Sequence, residues 1–190
     1  MKKEILGIAG SLREKSYNKG VLQSLTDMSH ENLEVTSYSI KDIPLFNADQ
    51  EVGGDPQPVA LFKQAIKNAD GIVIVSPEYS HGIPGVLKNA LDWAGSMTNE
   101  NVLTEKPVLL IGASPSVIGG GFSQMQLRQT LAACNAYVPP QPEILIGQVH
   151  EKLNSDGILY DKSTITFLKQ SLDDFSNWLE KITNQRTKSM

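Results

Sequence analysis

The chain of 190 residues has an ordinary globular composition, with 40% hydrophobic residues, 20% charged residues and a formal net charge of −4. That charge argues against an extended nucleic-acid surface, and no apolar run approaches the roughly 20 residues that span a membrane. A single cysteine, Cys134, excludes an intrachain disulfide and favours the reducing cytoplasm. We therefore expect one soluble, cytoplasmic domain over residues 1–190.

Five short apolar runs predict β-strands. They are ILGIA (5–9), LEVTSYSI (33–40), GIVIVS (71–76), PVLLIGA (107–113) and the weaker YVPPQPEILI (137–146). Between and after these runs, apolar residues recur at the spacing of a helix. The four helical stripes are Val21, Leu22, Leu25 and Met28; Val86, Leu87, Ala90, Leu91 and Ala94; Leu127, Leu131 and Cys134; and Ile165, Leu168, Leu172, Phe175, Leu179 and Ile182.

The alternation of strands and helices predicts the fold class. IVIV lacks polar alternation, which indicates that helices cover both faces of the sheet. We predict an α/β fold with a doubly wound, five-stranded parallel sheet. Ligands of such sheets bind beyond the carboxyl ends of the strands, which places the loops 10–18, 76–84 and 113–121 on one rim. The connection over residues 41–58 is long, acidic and rich in proline and glycine, and its length favours a mobile or interfacial element over tight packing.

The first rim loop has the groups that hold a phosphate. Ser11 and Ser16 supply hydroxyls, Asn18 an amide and Arg13 a guanidinium. A helix is predicted to begin near Tyr17 or Asn18 with Ser16 or Asn18 as its cap, so that an anion would meet free backbone N–H groups. Neither a Walker loop nor a G-x-G-x-x-G turn fits, because the required glycines are absent. The alternative interpretation is an ordinary capped turn with a solvated arginine.

The second rim loop, SPEYSHGIPG, places polar and aromatic side chains ahead of a helix that Pro84 marks. These residues are Glu78, Tyr79, Ser80 and His81. At the rim they can meet a flat heteroaromatic ring. The alternative is an ordinary loop in which Tyr79 covers the end of the sheet.

The third rim loop, GASPSVIGGGFSQ, comes close to the nucleophile elbow G-x-S-x-G around Ser114. Ser116 stands where the strained turn needs glycine, and the only later histidine, His150, has no obvious acidic partner. The pattern therefore disfavours a serine hydrolase and favours a flexible, glycine-rich wall for a ring.

No metal site is predicted. His30, His81 and His150 are scattered along the chain, and one cysteine offers no ligand pair at a useful spacing. Cys134 follows a helical face, which predicts a buried and unreactive thiol.

Three stretches together resemble the signature regions of the NADPH-dependent FMN reductase family, which includes quinone, chromate and azo reductases on a flavodoxin-like fold. The stretches are GSLREKSYN, PEYSHGIPGVLKNALDW and GASPSVIGGGFSQMQLRQTL. The resemblance runs from the first strand to residue 147. It implies a single flavodoxin-like domain that binds FMN.

The resemblance also implies which residues hold FMN. The positions that match its phosphate site are Ser11, Arg13, Ser16 and Asn18. The positions that match the stretch along the ribityl chain and the isoalloxazine ring are Pro77, Glu78 and Tyr79.

Further flavin contacts are expected from two loops. Backbone N–H groups near 77–82 are expected to bond N5 or O4 of the ring and to bias its potential, and Ser80, His81 and Gly82 are expected to bind the cofactor. Ser114 falls in the loop that closes over the other side of the flavin. Many members of the family have asparagine at the position of Ser80 and glycine at that of Ser116. These departures affect the expected ring contacts and acceptor pocket, and they leave the phosphate loop unchanged.

The activity that the resemblance implies is a two-step exchange. NADPH or NADH passes a hydride to flavin N5 and leaves, and a quinone, azo compound, free flavin or oxyanion then takes the electrons. The cofactor carries this chemistry, so no catalytic side chain is predicted. The resemblance implies a homodimer or homotetramer, and neither a nucleic acid nor a membrane is expected as a partner.

Two alternatives to this enzyme remain. One is a flavodoxin-like carrier that holds FMN and serves a protein partner, and the other is a non-catalytic nucleotide-binding module. Arg13 in the first loop and the mild charge of −4 both count against the carrier.

Overall fold

Five parallel strands form one sheet in the order β2-β1-β3-β4-β5 in a computed structural model that describes residues 2–29, 32–140 and 142–189. The strands are β1 (Lys3–Ala9), β2 (Leu33–Tyr38), β3 (Gly71–Ser76), β4 (Val108–Ala113) and β5 (Ile144–Ile146). The order reverses direction between β1 and β3, which makes a switch point there. The predicted doubly wound sheet of flavodoxin-like order is confirmed.

Helices cover both faces of the sheet. They are α1 (Tyr17–Asp27), α2 (Gln57–Asn68), α3 (Gly85–Ala94), α4 (Gly121–Ala133) and α5 (Lys162–Ser189). α1 and α5 pack on one face, and α2, α3 and α4 pack on the other. None of the helices in the described residues is both long enough and apolar enough to cross a membrane.

The central strand β3 shows why the apolar run at 71–76 lacks polar alternation. All six of its residues are buried. Val73 and Val75 belong to the hydrophobic cluster under α1 and α5, whereas Ile72 and Ile74 belong to the cluster under α2, α3 and α4. Side chains on both faces of β3 are therefore shielded from water, as expected for a strand inside a parallel sheet.

The fifth strand is much shorter than the predicted 137–146. Tyr137 forms an isolated parallel bridge with Pro107, and the strand proper is Ile144–Ile146. Prolines at 139, 140 and 142 cannot donate a hydrogen bond to a neighbouring strand, which explains the interruption. Gln141 lies outside the described residues.

The helix α2 was not predicted, and its first residues fall within the predicted 41–58 loop. The sequence does contain a helical pattern here, because the apolar residues Val59, Phe62 and Ile66 recur at helical spacing. All three are fully buried. Pro58 in the first turn suits the start of a helix, where its missing N–H costs nothing.

The segment before α2, here called the strap (residues 41–56), is fastened to α3. The carbonyl oxygen of Pro44 accepts hydrogen bonds from Asn89 Nδ2 and Trp93 Nε1, both at 2.8 Å. Asn89 Oδ1 accepts from the Phe46 N–H at 2.7 Å, and the Phe46 ring meets Trp93 edge to face at 5.0 Å. The sequence predicts a mobile or interfacial element rather than tight packing. These bonds fix residues 44 and 46 to α3, most other residues of the strap are exposed, and a role at an interface stays a prediction.

A buried ion network fastens the strap to α2. Lys63 Nζ lies 3.0 Å from the Asp55 carboxylate and 3.6 Å from Glu51 Oε1, and both Lys63 and Glu51 are buried. Ser96 donates to the other oxygen of Glu51 at 2.7 Å. One ammonium group thus serves two carboxylates away from water, and the loss of the ammonium would leave both charges unbalanced.

Asp161 caps the start of α5, and its contribution to stability depends on pH. Asp161 Oδ1 accepts from the Thr164 hydroxyl at 2.6 Å, the Ser163 hydroxyl at 2.7 Å and the Thr164 N–H at 2.9 Å. These bonds, the Thr164 hydroxyl first, lower the pKa of Asp161 from 3.8 to about 2.

Because the folded pKa is depressed, the stability that Asp161 contributes is present above 3.8 and is lost as the pH falls towards about 2. Urea unfolding of the parent and of Asp161→Asn across this range should show the difference between the two shrinking with acid. A difference that is constant with pH would contradict this prediction.

Candidate functional site

The three predicted rim loops meet at one edge of the sheet. They follow β1, β3 and β4, which are neighbours in the sheet, and the first two border the switch point. A hydrogen bond of 2.9 Å between Ser11 Oγ and the Tyr79 hydroxyl joins the first loop to the second. Gly10 lets the first loop lie close to α3 and to the start of the second loop, because a Cβ there would lie 2.9 Å from Leu87 and 3.3 Å from Pro77.

The first loop leaves the start of α1 without a side-chain cap. The helix begins at Tyr17, and Ser16 occupies the cap position, but the Ser16 side chain makes no capping hydrogen bond. The alternative prediction of Asn18 as the cap is wrong, because Asn18 lies within the first turn. The backbone N–H groups of this turn can therefore serve an anion.

The polar groups predicted to hold a phosphate differ in exposure. Ser11, Ser16 and Asn18 are buried, whereas Arg13 is exposed. Asn18 is 3% exposed, and its Oδ1 has no hydrogen-bond partner among the described residues. A buried carbonyl oxygen without a donor is costly, and rotation of the amide would place its NH₂ donors where Oδ1 now lies. This arrangement fits a ligand phosphate at the start of α1.

The second loop folds into a tight hairpin, here called the rim hairpin (residues 79–82). Tyr79 and Gly82 exchange two backbone hydrogen bonds of 3.2 and 2.9 Å. The residues between them, Ser80 and His81, have φ of 49° and 59°. Positive φ at both central residues is the condition for a type I′ turn, which favours asparagine and glycine and costs other residues of order 1–3 kcal/mol each.

The side chain of Glu78 is directed to α4. Its Oε2 accepts from the N–H groups of Phe122 and Ser123 at 2.9 and 3.2 Å, and its Oε1 lies 3.2 Å from His81 Nδ1. The cap residue of α4 is Gly120, with φ of 92° and no side chain to offer. Glu78 therefore caps a helix that begins 43 residues later in the sequence.

Gln126 completes the attachment of the second loop to α4. Its Nε2 donates to the carbonyl oxygen of His81 at 3.1 Å, and its Oε1 accepts from the N–H of Ile83 at 3.2 Å. Sequence reasoning missed this residue. Nothing in the local pattern marks it, because its partners lie 43 and 45 residues away.

The third loop is pinned to the segment after β5. The N–H of Ser114 donates to the carbonyl oxygen of Ile146 at 3.1 Å, and its own carbonyl accepts from the N–H of Val149 at 3.1 Å. Ser114 Oγ accepts from the N–H of Ser116 at 3.2 Å. No hydrogen bond joins Ser114 to a histidine within the described part of the chain, so the geometry gives the hydrolase alternative no support.

The histidines, the possible metal ligands and Cys134 give little support for a metal site or a reactive nucleophile. In the described ranges, no group of three or more histidine, cysteine, aspartate or glutamate residues could hold a metal ion. His81 and His150 lie near Glu78 and Glu151, respectively, and His30 lies outside the described residues. Burial, and then the charge of Asp92, raise the pKa of the half-buried Cys134 thiol, which makes it a poor nucleophile.

Comparison with known proteins agrees with the geometry. The family model for NADPH-dependent FMN reductase matches residues 3–151. A quinone reductase of Escherichia coli K12 is 37% identical over 184 residues, with 95% of this chain and 97% of that protein covered. An NAD(P)H-dependent FMN reductase of Pseudomonas aeruginosa is 34% identical over 179 residues, with 94% and 96% covered.

A solved structure agrees as well. The flavoenzyme NAD(P)H:(acceptor) oxidoreductase FerB of Paracoccus denitrificans superimposes with a TM-score of 0.85 at 34% identity, and the match covers 94% of this chain and 98% of that one.

Proposed function

This chain belongs to the NADPH-dependent FMN reductase family, and from that membership we propose that it passes electrons from NADPH or NADH through bound FMN to quinones and similar small acceptors. One structural observation supports this activity most directly. Asn18 Oδ1, which is buried and has no hydrogen-bond partner among the described residues, lies in the uncapped first turn of α1, at the switch point where such folds bind their ligands.

The phosphate of FMN would lie at the start of α1. Ser11 and Ser16 would offer hydroxyls, Asn18 its amide, and the first turn of the helix its free N–H groups. Arg13, at the exposed side, would add a charge-assisted hydrogen bond.

The ring would lie between the second and third loops. Pro77 and the rim hairpin line one side, and Ser114 belongs to the loop on the other. Tyr79 is positioned by its hydroxyl contact with Ser11, and Glu78 acts through α4. Within the described residues, the N–H groups of Ser80 and His81 have no hydrogen-bond partner, which leaves both as donors for the ring, with Gly82 closing the hairpin.

These contacts suggest separate roles for FMN and for the protein chain. FMN, when bound, supplies the ability to accept a hydride and to give up electrons. The chain binds the phosphate at α1, orients the ring with backbone donors and leaves its outer face open to the donor and the acceptor. No side chain of the site needs to move a proton for this function.

An anaerobic absorbance experiment separates the reductase from its alternatives. The protein loaded with FMN should lose its visible flavin band on addition of NADPH and regain it on addition of a quinone. A yellow protein that NADPH does not bleach would favour the electron carrier. A protein that does not bind FMN would overturn the assignment.

We further infer that the 190-residue chain is one cytoplasmic FMN-binding domain that assembles as a homodimer or homotetramer. Large apolar side chains at the strap and near it support an interface there. The most exposed are Leu45 at 84%, Val52 at 85% and Met97 at 81%. Light scattering after size-exclusion chromatography would contradict this if the protein remained a monomer at micromolar concentration.

A further inference from the structure

Two side chains of α4 contact the rim hairpin: the Phe122 ring meets the His81 ring edge to face at 5.1 Å, and Gln126 is the one that hydrogen-bonds the backbone at its end. Gln126 donates to the carbonyl oxygen of His81 at 3.1 Å and accepts from the N–H of Ile83 at 3.2 Å, so that its amide spans the end of the hairpin. Gly82 permits this contact, because a Cβ at that position would lie 3.1 Å from Gln126 Oε1. Both the NH₂ group and the carbonyl oxygen of the Gln126 side chain are therefore hydrogen-bonded to the backbone at the end of the hairpin.

The hairpin needs such support, because its two central residues, Ser80 and His81, have positive φ. Residues with a side chain keep this conformation only when the surrounding structure enforces it. The hairpin's own support is the pair of backbone bonds between Tyr79 and Gly82. Without Gln126, the peptide groups at the tip can rotate towards conformations of lower energy.

We propose that Gln126 is a positioning residue for the flavin. By holding the backbone of the rim hairpin, it keeps the free N–H groups of Ser80 and His81 in one orientation towards the ring. This inference rests on the proposed function, because it assigns those N–H groups to FMN. Glu78 also attaches the loop to α4, but its loss would uncap the helix as well, so Gln126 is the clearer residue to test.

The test compares Gln126→Ala with Gln129→Ala, which removes an exposed glutamine one turn further along the same helix. Loss of the Gln126 bond should speed amide exchange at Ile83 about tenfold in the FMN-free protein. It should also raise the Kd for FMN about tenfold and shift the visible spectrum and midpoint potential of the flavin that binds. Gln129→Ala should change none of these.

A second variant separates the two halves of the contact. Gln126→Glu keeps an acceptor for the Ile83 N–H but loses the donor to the His81 carbonyl, so exchange at Ile83 should stay slow while the flavin spectrum shifts. This variant also serves if Gln126→Ala fails to fold.

The results for Gln126→Ala test its positioning role separately from the proposed reductase activity. Lower thermal stability of Gln126→Ala with unchanged affinity, spectrum and potential of bound FMN would overturn the positioning role and leave the reductase standing. A parent protein that binds no FMN would overturn both.

Discussion

Asn18→Asp is expected to weaken FMN binding by about 100-fold or more, which corresponds to about 2.7 kcal/mol. Asn18 is buried in the first turn of α1, and its Oδ1 has no partner among the described residues. A carboxylate there would face the proposed phosphate with a like charge. The FMN-free protein should remain folded, because a negative charge suits the start of a helix. Fluorescence titration with FMN measures the first effect, and thermal melting the second.

Two controls make this result specific. Gln64→Glu makes the same change of charge at an exposed position of α2 and should leave FMN affinity within about twofold, since surface charges are screened. Riboflavin lacks the phosphate, so Asn18→Asp should bind it as the parent does. If riboflavin affinity fell as far as FMN affinity, the phosphate would not lie at Asn18.

Lys63→Met is expected to lower the free energy of unfolding by about 3–5 kcal/mol, the usual cost of breaking a buried ion pair. Lys63 is 3% exposed and lies between the carboxylates of Asp55 and Glu51. Removal of its ammonium leaves both charges without a counter-charge, and the side chain of methionine fills the space without supplying one. Urea unfolding followed by circular dichroism measures the loss.

Lys67→Met is the matched control, because it makes the same change one turn further along α2. Lys67 pairs with Glu100 at 2.5 Å, but both side chains are largely exposed, at 41% and 53%. Such a pair contributes about 1 kcal/mol or less. Equal losses in the two variants would mean that the ion network under the strap adds no more than a surface pair.

The elements that sequence reasoning located best are those whose environment is uniform along their length. The strand predicted at 71–76 coincides with β3, because every residue of this run is buried and its pattern depends on burial alone. The hydroxyl, amide and guanidinium groups of the first loop could also be located, since they are close together in sequence, and their role in holding a phosphate stays a prediction.

The parts that escaped prediction depend on contacts between distant segments. The cap that the Glu78 carboxylate gives to α4 was not predicted, because the N–H groups it binds are 44 and 45 residues away. The place of Glu78 along the flavin stays a prediction. The length of the segment 41–58 predicts a mobile or interfacial element, and the bond by which Asn89 holds it at Pro44, 45 residues earlier, cannot be seen in that segment's own sequence. Composition and spacing describe each segment alone, and they do not show which segments fold against each other.

The cap of α4 comes from Glu78 in the second loop, and this restricts which substitutions the site can accept during evolution. Gly120 provides the turn before the helix but no side chain, so the negative group at the start of the helix must come from position 78. Positions 78 and 120 should therefore covary among descendants of this chain. A loop transplanted after β3 to alter acceptor choice would leave α4 uncapped unless the first turn of that helix were transplanted with it.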